Sequence, residues 1–260
     1  MKEKDVRRVR LIEDGEDLDS IVADSLVRLI HDCVKRTGRA RLALSFDDRD
    51  MPLYDLLSSD RYRGAAPWER VDLFFTHERA VAPEHEDSRY GRAKRSLMTV
   101  GVLENRVHRM RSDEGDLEQA AQRYEAALLS HKPTREKEVA PLDLVLIGLG
   151  LEGRIAGLEP DSPALFLSNC LVAPAKLEAD SVRCLTLTPS AMSSAAHIWV
   201  LARGTDIATT VHEVLEGDYE PNVHPVQAIR PKTGEMVWFV DAGAAQRLAV
   251  ASKEFRTQVR

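Results

Sequence analysis

Leu142-Asp143-Leu144-Val145-Leu146-Ile147-Gly148-Leu149-Gly150 decides the fold. From Leu142 to Ile147 every position except Asp143 is apolar, and glycines close the run. A strand with one solvated face alternates polar and apolar residues, whereas a strand covered on both faces does not. The segment at 142–148 is therefore predicted to be a central strand of a parallel sheet. Outward from it, similar short apolar runs at 9–12, 41–46, 71–76, 183–188, 198–203 and 237–240 read as further strands. Between them Leu18, Ile21, Val22, Leu26, Leu29, Ile30 and Cys33 recur at three- and four-residue steps, as do Leu117, Ala120, Ala121, Tyr124 and Leu128. Such stripes place one apolar face on a helix. Helices are also expected at 190–197 after Pro189, at 205–216 before Gly217, and at 242–253, with loops at 132–141 and 218–225. Strands alternating with amphipathic helices predict an α/β fold with a mostly parallel sheet flanked by helices on both faces.

The 260 residues suit a single α/β domain spanning 1–260. A hydrophobic fraction of 43% beside 30% charged residues describes a globular chain with a sizeable core. Lys and Arg number 36 against 42 for Asp and Glu, and the net charge of −6 gives no electrostatic reason to expect nucleic acid or an anionic membrane as partner. Cys33, Cys170 and Cys184 lack the spacing of a metal site or a disulfide framework. The N-terminus lacks the apolar core of a signal peptide, and no stretch approaches the ~18 apolar residues of a membrane span. A cytoplasmic location is expected.

Several blocks, in order along most of the chain, resemble the 6-phosphogluconolactonase family. They are Leu42-Ala43-Leu44-Ser45 leading to Pro52-Leu53-Tyr54, Trp68 to Phe75 leading to Glu78-Arg79-Ala80-Val81, and Asp143 to Gly150. Arg183 to Thr188, the Gly204 turn, the Pro225 loop and Trp238-Phe239-Val240-Asp241 follow. The resemblance implies a sugar-phosphate-isomerase-like, Rossmann-like fold with a small appended β/α region and a site at the C-terminal ends of the strands. It also implies hydrolysis of 6-phosphogluconolactone, in the oxidative pentose phosphate pathway, by a water that a histidine activates. No metal or organic cofactor is implied, and the phosphate is held by a Gly/Ser/Thr loop and basic side chains.

Compared with that pattern, the site residues are changed. The family's loop resembles Ser-Gly-Gly-Ser-Thr-Pro, but this chain reads Ser45-Phe46-Asp47-Asp48-Arg49-Asp50. Three carboxylates repel a phosphate dianion, with Arg49 partly compensating; the plain reading is a charged surface turn. The family's Asp-Glu-Arg becomes His77-Glu78-Arg79, and its Ser-Asn becomes Ser88-Arg89. Arg79 reads equally as an anion contact or as a structural ion-pair partner. In Gly148 to Pro160 the family's catalytic Asp and His positions hold Glu152 and Arg154. A guanidinium with a pKa above ~12 cannot accept a proton from water. Glu152 beside Arg154 reads as a structural ion pair or as a lone base. Arg183 is kept, and the lysine expected after Gly204 is Ile207. His77, His108, His197, His212 and His224 remain as replacement bases, with His77 nearest the aligned site.

These residues admit three readings. The favoured one is a catalytically impaired family member, whose altered pocket binds a sugar phosphate or a protein partner. The second is an active lactonase in which Glu152 or His77 serves as base and Ser45, Arg49, Arg79, Arg89, Arg154 and Arg183 hold the substrate. The weakest is a sugar-phosphate deaminase or isomerase relative, because Ile155-Ala156 and Glu159-Pro160 also resemble those enzymes.

Overall fold

A computed structural model describes residues 7–13, 17–131, 142–177, 182–231 and 233–249. Among these the strands are β1 (Arg7–Leu11), β2 (Ala40–Leu44), β3 (Val71–Phe75), β4 (His77–Arg79), β5 (Leu144–Gly148), β6 (Val172–Lys176), β7 (Arg183–Leu187), β8 (His197–Ala202) and β9 (Glu235–Val240). The helices are α1 (Leu18–Thr37), α2 (Met51–Leu57), α3 (Asp60–Arg63), α4 (Arg89–Arg95), α5 (Leu117–Ser130), α6 (Pro189–Ser193) and α7 (Ala208–Glu216). Six strands form one parallel sheet in the order β1-β9-β8-β5-β2-β3. The apolar run at 142–148 lies inside it: every residue of β5 is buried, with Leu146 opposite Leu44 on one side and Trp199 on the other.

The two striped helices form where their apolar spacing predicts. α1 buries Leu18, Val22, Ala23, Leu26, Ile30 and Cys33. Asp17 accepts from Asp19 N at its start, and Gly38, at φ 80°, ends it in the left-handed conformation that glycine adopts without strain. α5 is capped by Asp116 and buries Leu117, Ala120, Ala121, Tyr124 and Leu128. Its Tyr124 hydroxyl receives Phe75 N–H at 2.7 Å and donates to Phe75 O at 3.3 Å, completing the backbone pairing where β3 has no further strand beside it.

Several expectations need correction. Residues 183–187 are a strand, but one of a separate antiparallel sheet ordered β4-β7-β6, in which His77 faces Thr186. β4 is three residues long and β6 contains Pro174, so neither carries a periodic signal. The helix expected to reach His197 stops at Ser193, because Ala196 N and His197 N donate instead to Leu142 O and Asp143 O and start β8. Residues 205–207 are a 3-10 turn preceding α7. The described part of 242–253 forms turns organised by Asp241, whose carboxylate accepts from Ala244 N and Gly204 N; residues 250–253 and the loop at 132–141 lie outside the described residues. Among the described residues no helix is long and apolar enough to cross a membrane.

Candidate functional site

The chain leaves β2 toward β3 on one side of the sheet and leaves β5 toward β8 on the other. The direction of winding therefore reverses between β2 and β5, and the loops above that point splay apart into the crevice where open α/β sheets bind ligands. Three loops meet there: 45–50 after β2, 149–161 after β5 and 203–207 after β8.

The loop after β2 is no surface turn. Phe46 is fully buried and stacks on Tyr54 with ring centroids 4.3 Å apart. Asp50 is fully buried too: its Oδ2 accepts from Ser45 Oγ at 2.6 Å and Asp47 N at 3.1 Å, while Oδ1 has no hydrogen-bond partner. Ser45 Oγ in turn accepts from Gly148 N at 3.2 Å, and a Cβ on Gly148 would lie 2.2 Å from Asp50 Oδ1. Only a glycine at the end of β5 lets this carboxyl sit on the crevice floor. Burial, reinforced by the neighbouring Asp47 charge, pushes the Asp50 carboxyl up to about 7.

Several arginines around the crevice are held by carboxylates of the chain itself. Arg49 grips both oxygens of Asp206 and donates to Arg203 O at 3.0 Å, tying the β2 loop to the β8 loop. Arg89 reaches Asp47, and Arg92 reaches Asp48 at 2.6 Å and Phe46 O at 3.0 Å. Burial alone would raise the Asp47 carboxyl; His77 and Arg89 outweigh that and hold it below the ordinary range. Arg154 is bracketed by Glu159 Oε1 at 3.3 Å and Glu152 Oε2 at 3.1 Å. Every one of these guanidiniums meets a carboxylate of the chain itself.

His77, expected as the replacement base, is sealed. It is 1% exposed, its Nε2 lies 3.2 Å from both Arg89 Nε and Asp47 Oδ1, and its Nδ1 lies 3.3 Å from Thr76 Oγ1. Gly157 packs on the ring, with its notional Cβ 3.2 Å from Cδ2. Both ring nitrogens thus face protein groups, and the ring bridges Asp47 and Arg89. Glu152, by contrast, projects outward, with its side chain 64% exposed. Its backbone is left-handed at φ 56°, a conformation uncommon for a residue with a side chain.

Arg79 Nε lies 3.9 Å from Asp87 Oδ2, and Arg183 is exposed at the start of β7, so the cluster is built on Arg49, Arg89 and Arg92. Glu78 turns out to organise it: the buried carboxylate accepts from Arg89 N at 2.8 Å, Tyr90 N at 2.7 Å and Ser88 Oγ at 3.2 Å, fixing the start of α4. The remaining histidines are engaged elsewhere, His197 with Glu235 at 2.9 Å and His212 with Glu216 at 3.0 Å, while His224 is buried behind Gly153. Sequence reasoning missed Asp206 and Glu159 as partners; the one signal was that the added arginines are matched by added carboxylates.

Comparison with known proteins agrees with this architecture. The sequence pattern described as glucosamine-6-phosphate isomerases/6-phosphogluconolactonase matches residues 13–238. A 6-phosphogluconolactonase of Synechocystis sp. is 31% identical, covering 83% of this chain and 87% of that protein. The solved structure of 6-phosphogluconolactonase from Trypanosoma cruzi superposes with a TM-score of 0.81 at 20% identity, over 95% of this chain and 98% of that one. A monomeric glucosamine-6-phosphate deaminase superposes with a TM-score of 0.76 at 20% identity, over 92% and 99%. At those identities the two structures speak for the fold alone.

Proposed function

The chain belongs to the glucosamine-6-phosphate isomerase/6-phosphogluconolactonase family, and from that premise we propose that it is a catalytically impaired member, which binds a ligand of sugar-phosphate metabolism or a partner protein in place of hydrolysing lactone. The observation that carries this reading is Arg154. It stands where the family pattern places the base, it cannot take a proton from water near neutral pH, and its terminal nitrogens are bound to Glu152 and Glu159. The phosphate cradle points the same way. The loop that would admit a dianion is filled by Phe46 and the Asp50 carboxyl, and Arg49 and Arg89 are already paired. A fold does not by itself supply an activity.

The names of the relatives favour a second reading, an active 6-phosphogluconolactonase that hydrolyses 6-phosphogluconolactone to 6-phosphogluconate with substitute residues. In that reading Glu152, the exposed carboxylate of the β5 loop, is the base that remains, and the phosphate displaces Asp206 from Arg49 or Asp47 from Arg89. A deaminase-like function gains nothing from the geometry beyond the shared fold.

One assay separates the two. Purified protein is added to freshly generated 6-phosphogluconolactone, and acid release is followed against the spontaneous rate. The impaired reading expects a rate within about tenfold of spontaneous; acceleration by ~10⁶ or more, the range of working enzymes, overturns it and establishes the second. A thermal-shift series with 6-phosphogluconate and other sugar phosphates then separates the ligands, since binding to the native state raises its melting temperature. A rise identifies a small-molecule ligand, and an unchanged melting temperature throughout points to a protein partner.

A further inference from the structure

Away from the crevice, three metal-ligating side chains from separate parts of the chain come together. Asp72 is the second residue of β3, so it lies toward the N-terminal end of the sheet, whereas the crevice opens beyond Phe75. At ~3.3 Å per strand residue the two places are roughly 10 Å apart along β3. His108 is brought alongside by the bridge between Leu73 and Val107 and by its own N–H, which donates to Leu73 O at 2.8 Å. His131 caps the C-terminus of α5. One carboxylate oxygen and one ring nitrogen from each histidine all lie within 4.8 Å of one another.

We propose that Asp72, His108 and His131 form a binding site for a divalent transition-metal ion of the zinc class. Two neutral imidazoles and a carboxylate are a donor set that such ions take, with a fourth position left for water. His108 Nε2 is buried, makes no hydrogen bond and stands 3.7 Å from Asp72 Oδ1, so its approach to a cation sacrifices no existing hydrogen bond. His131 Nδ1 lies 2.8 Å from Ala127 O, a contact that places the proton on Nδ1 and the lone pair on Nε2. Metal-bound histidines are commonly oriented by such a carbonyl. Phe74 stacks on His108 at 4.4 Å and meets the edge of His131 at 5.5 Å, holding both rings to one side of Asp72. A cavity of about 280 Å³ opens beside His108; Arg109, Arg111 and Arg123 line it together with Tyr124 and Ala127, and their charge opposes a cation there.

Bonds of ~2.1 Å to an ion hold donor atoms roughly 3 to 3.5 Å apart, so from separations of up to 4.8 Å the cluster closes by up to roughly 1.5 Å on binding. Two arginines set the affinity. Arg106 Nη1 lies 3.1 Å from Asp72 Oδ1 and Arg39 Nη1 lies 3.6 Å from Oδ2, so a cation competes with them for the carboxylate. The bound ion clips the C-terminus of α5 to β3 and acts on stability, with no part in the chemistry of the crevice.

The test uses full-length protein stripped of metal by a chelator and titrated with Zn²⁺ by calorimetry and with Co²⁺ by visible absorption. The proposal expects one ion per chain, a Co²⁺ spectrum of low coordination number, and a higher melting temperature with Zn²⁺. His108→Ala and His131→Gln should each weaken binding at least about tenfold, the loss that even an outer-sphere change causes, and Arg106→Gln should tighten it. Circular dichroism confirms folding, and His131→Gln, at a half-buried helix end, supplies the test if His108→Ala does not fold. A wild type that binds no ion, or binding that neither histidine substitution weakens, overturns the site.

Discussion

Asp50 meets two opposing demands: it must sit in the crevice floor, and as an anion it is badly solvated there. The unfolded chain ionises this carboxyl near the ordinary value of 3.8, the folded chain only at about 7. The folded state therefore holds the proton more tightly. Its contribution to stability is complete below about pH 4 and is lost as the pH rises through 7. Asp50→Asn, which cannot ionise, is expected to gain stability relative to the native protein across that window. The gain should reach a few kcal/mol, since each tenfold change in proton affinity is worth about 1.4 kcal/mol. Urea unfolding at pH 4, 5.5 and 7.5 measures this; a difference that does not change with pH would acquit Asp50. At this scale the sequence was half legible. Each replacement, Arg154 for a base or Phe46 for glycine, is visible residue by residue against the family pattern. The pairings are not, because Arg49 finds Asp206 157 residues along the chain and nothing local marks the partner.

Elements with a sustained pattern, such as α1, α5 and β5, were readable because their burial follows from periodicity alone. Those fixed by tertiary hydrogen bonds were not: β4 and β6 are held by β7, and the chain after α6 by the carbonyls of Leu142 and Asp143, just before β5. Two substitutions probe such non-local ties. Asp143 precedes β5 and is 1% exposed; its oxygens accept from Arg41 N and Nε at 2.9 Å, from Arg41 Nη2 at 3.1 Å and from Arg36 Nη2 at 3.0 Å, joining β2, β5 and α1. Removing one partner of a buried ion pair strands the other, so Asp143→Ala is expected to cost about 3–5 kcal/mol in denaturant unfolding. Tyr124→Phe leaves the Phe75 N–H without its acceptor and is expected to cost about 1–3 kcal/mol with little change in far-ultraviolet circular dichroism. A loss under about 0.5 kcal/mol would mean that water replaces the hydroxyl.

Across the whole molecule, the sheet brings the loops after β2, β5 and β8 to one crevice; Arg49–Asp206 ties the first of these loops to the third, Asp47 is held by Arg89 of α4, and Arg154 pairs with Glu159 inside the loop after β5. The replacements are spread over separate loops, and a change to one loop should not restore what needs all of them. Arg154→His places an imidazole beside Glu152 but leaves Phe46, Asp47 and Asp50 in the loop after β2, where the impaired reading finds no seat for the phosphate. Lactone hydrolysis by this single variant is expected to stay within about tenfold of the spontaneous rate. Replacing 46–50 by Gly-Gly-Ser-Thr-Pro together with Arg154→His removes the buried carboxyl and the phenyl ring at once. That combination is expected to accelerate hydrolysis by at least ~10², the lower range of a positioned acid–base group. At pH 4, where the folded chain holds the Asp50 carboxyl protonated, it should also lower stability by about 3–5 kcal/mol, because deleting the fully buried Phe46 opens a cavity against Tyr54. Acid release and urea unfolding on the same preparations check both halves. A large acceleration from Arg154→His alone would show that the crevice still seats a phosphorylated lactone, and would shift the weight to the hydrolase reading.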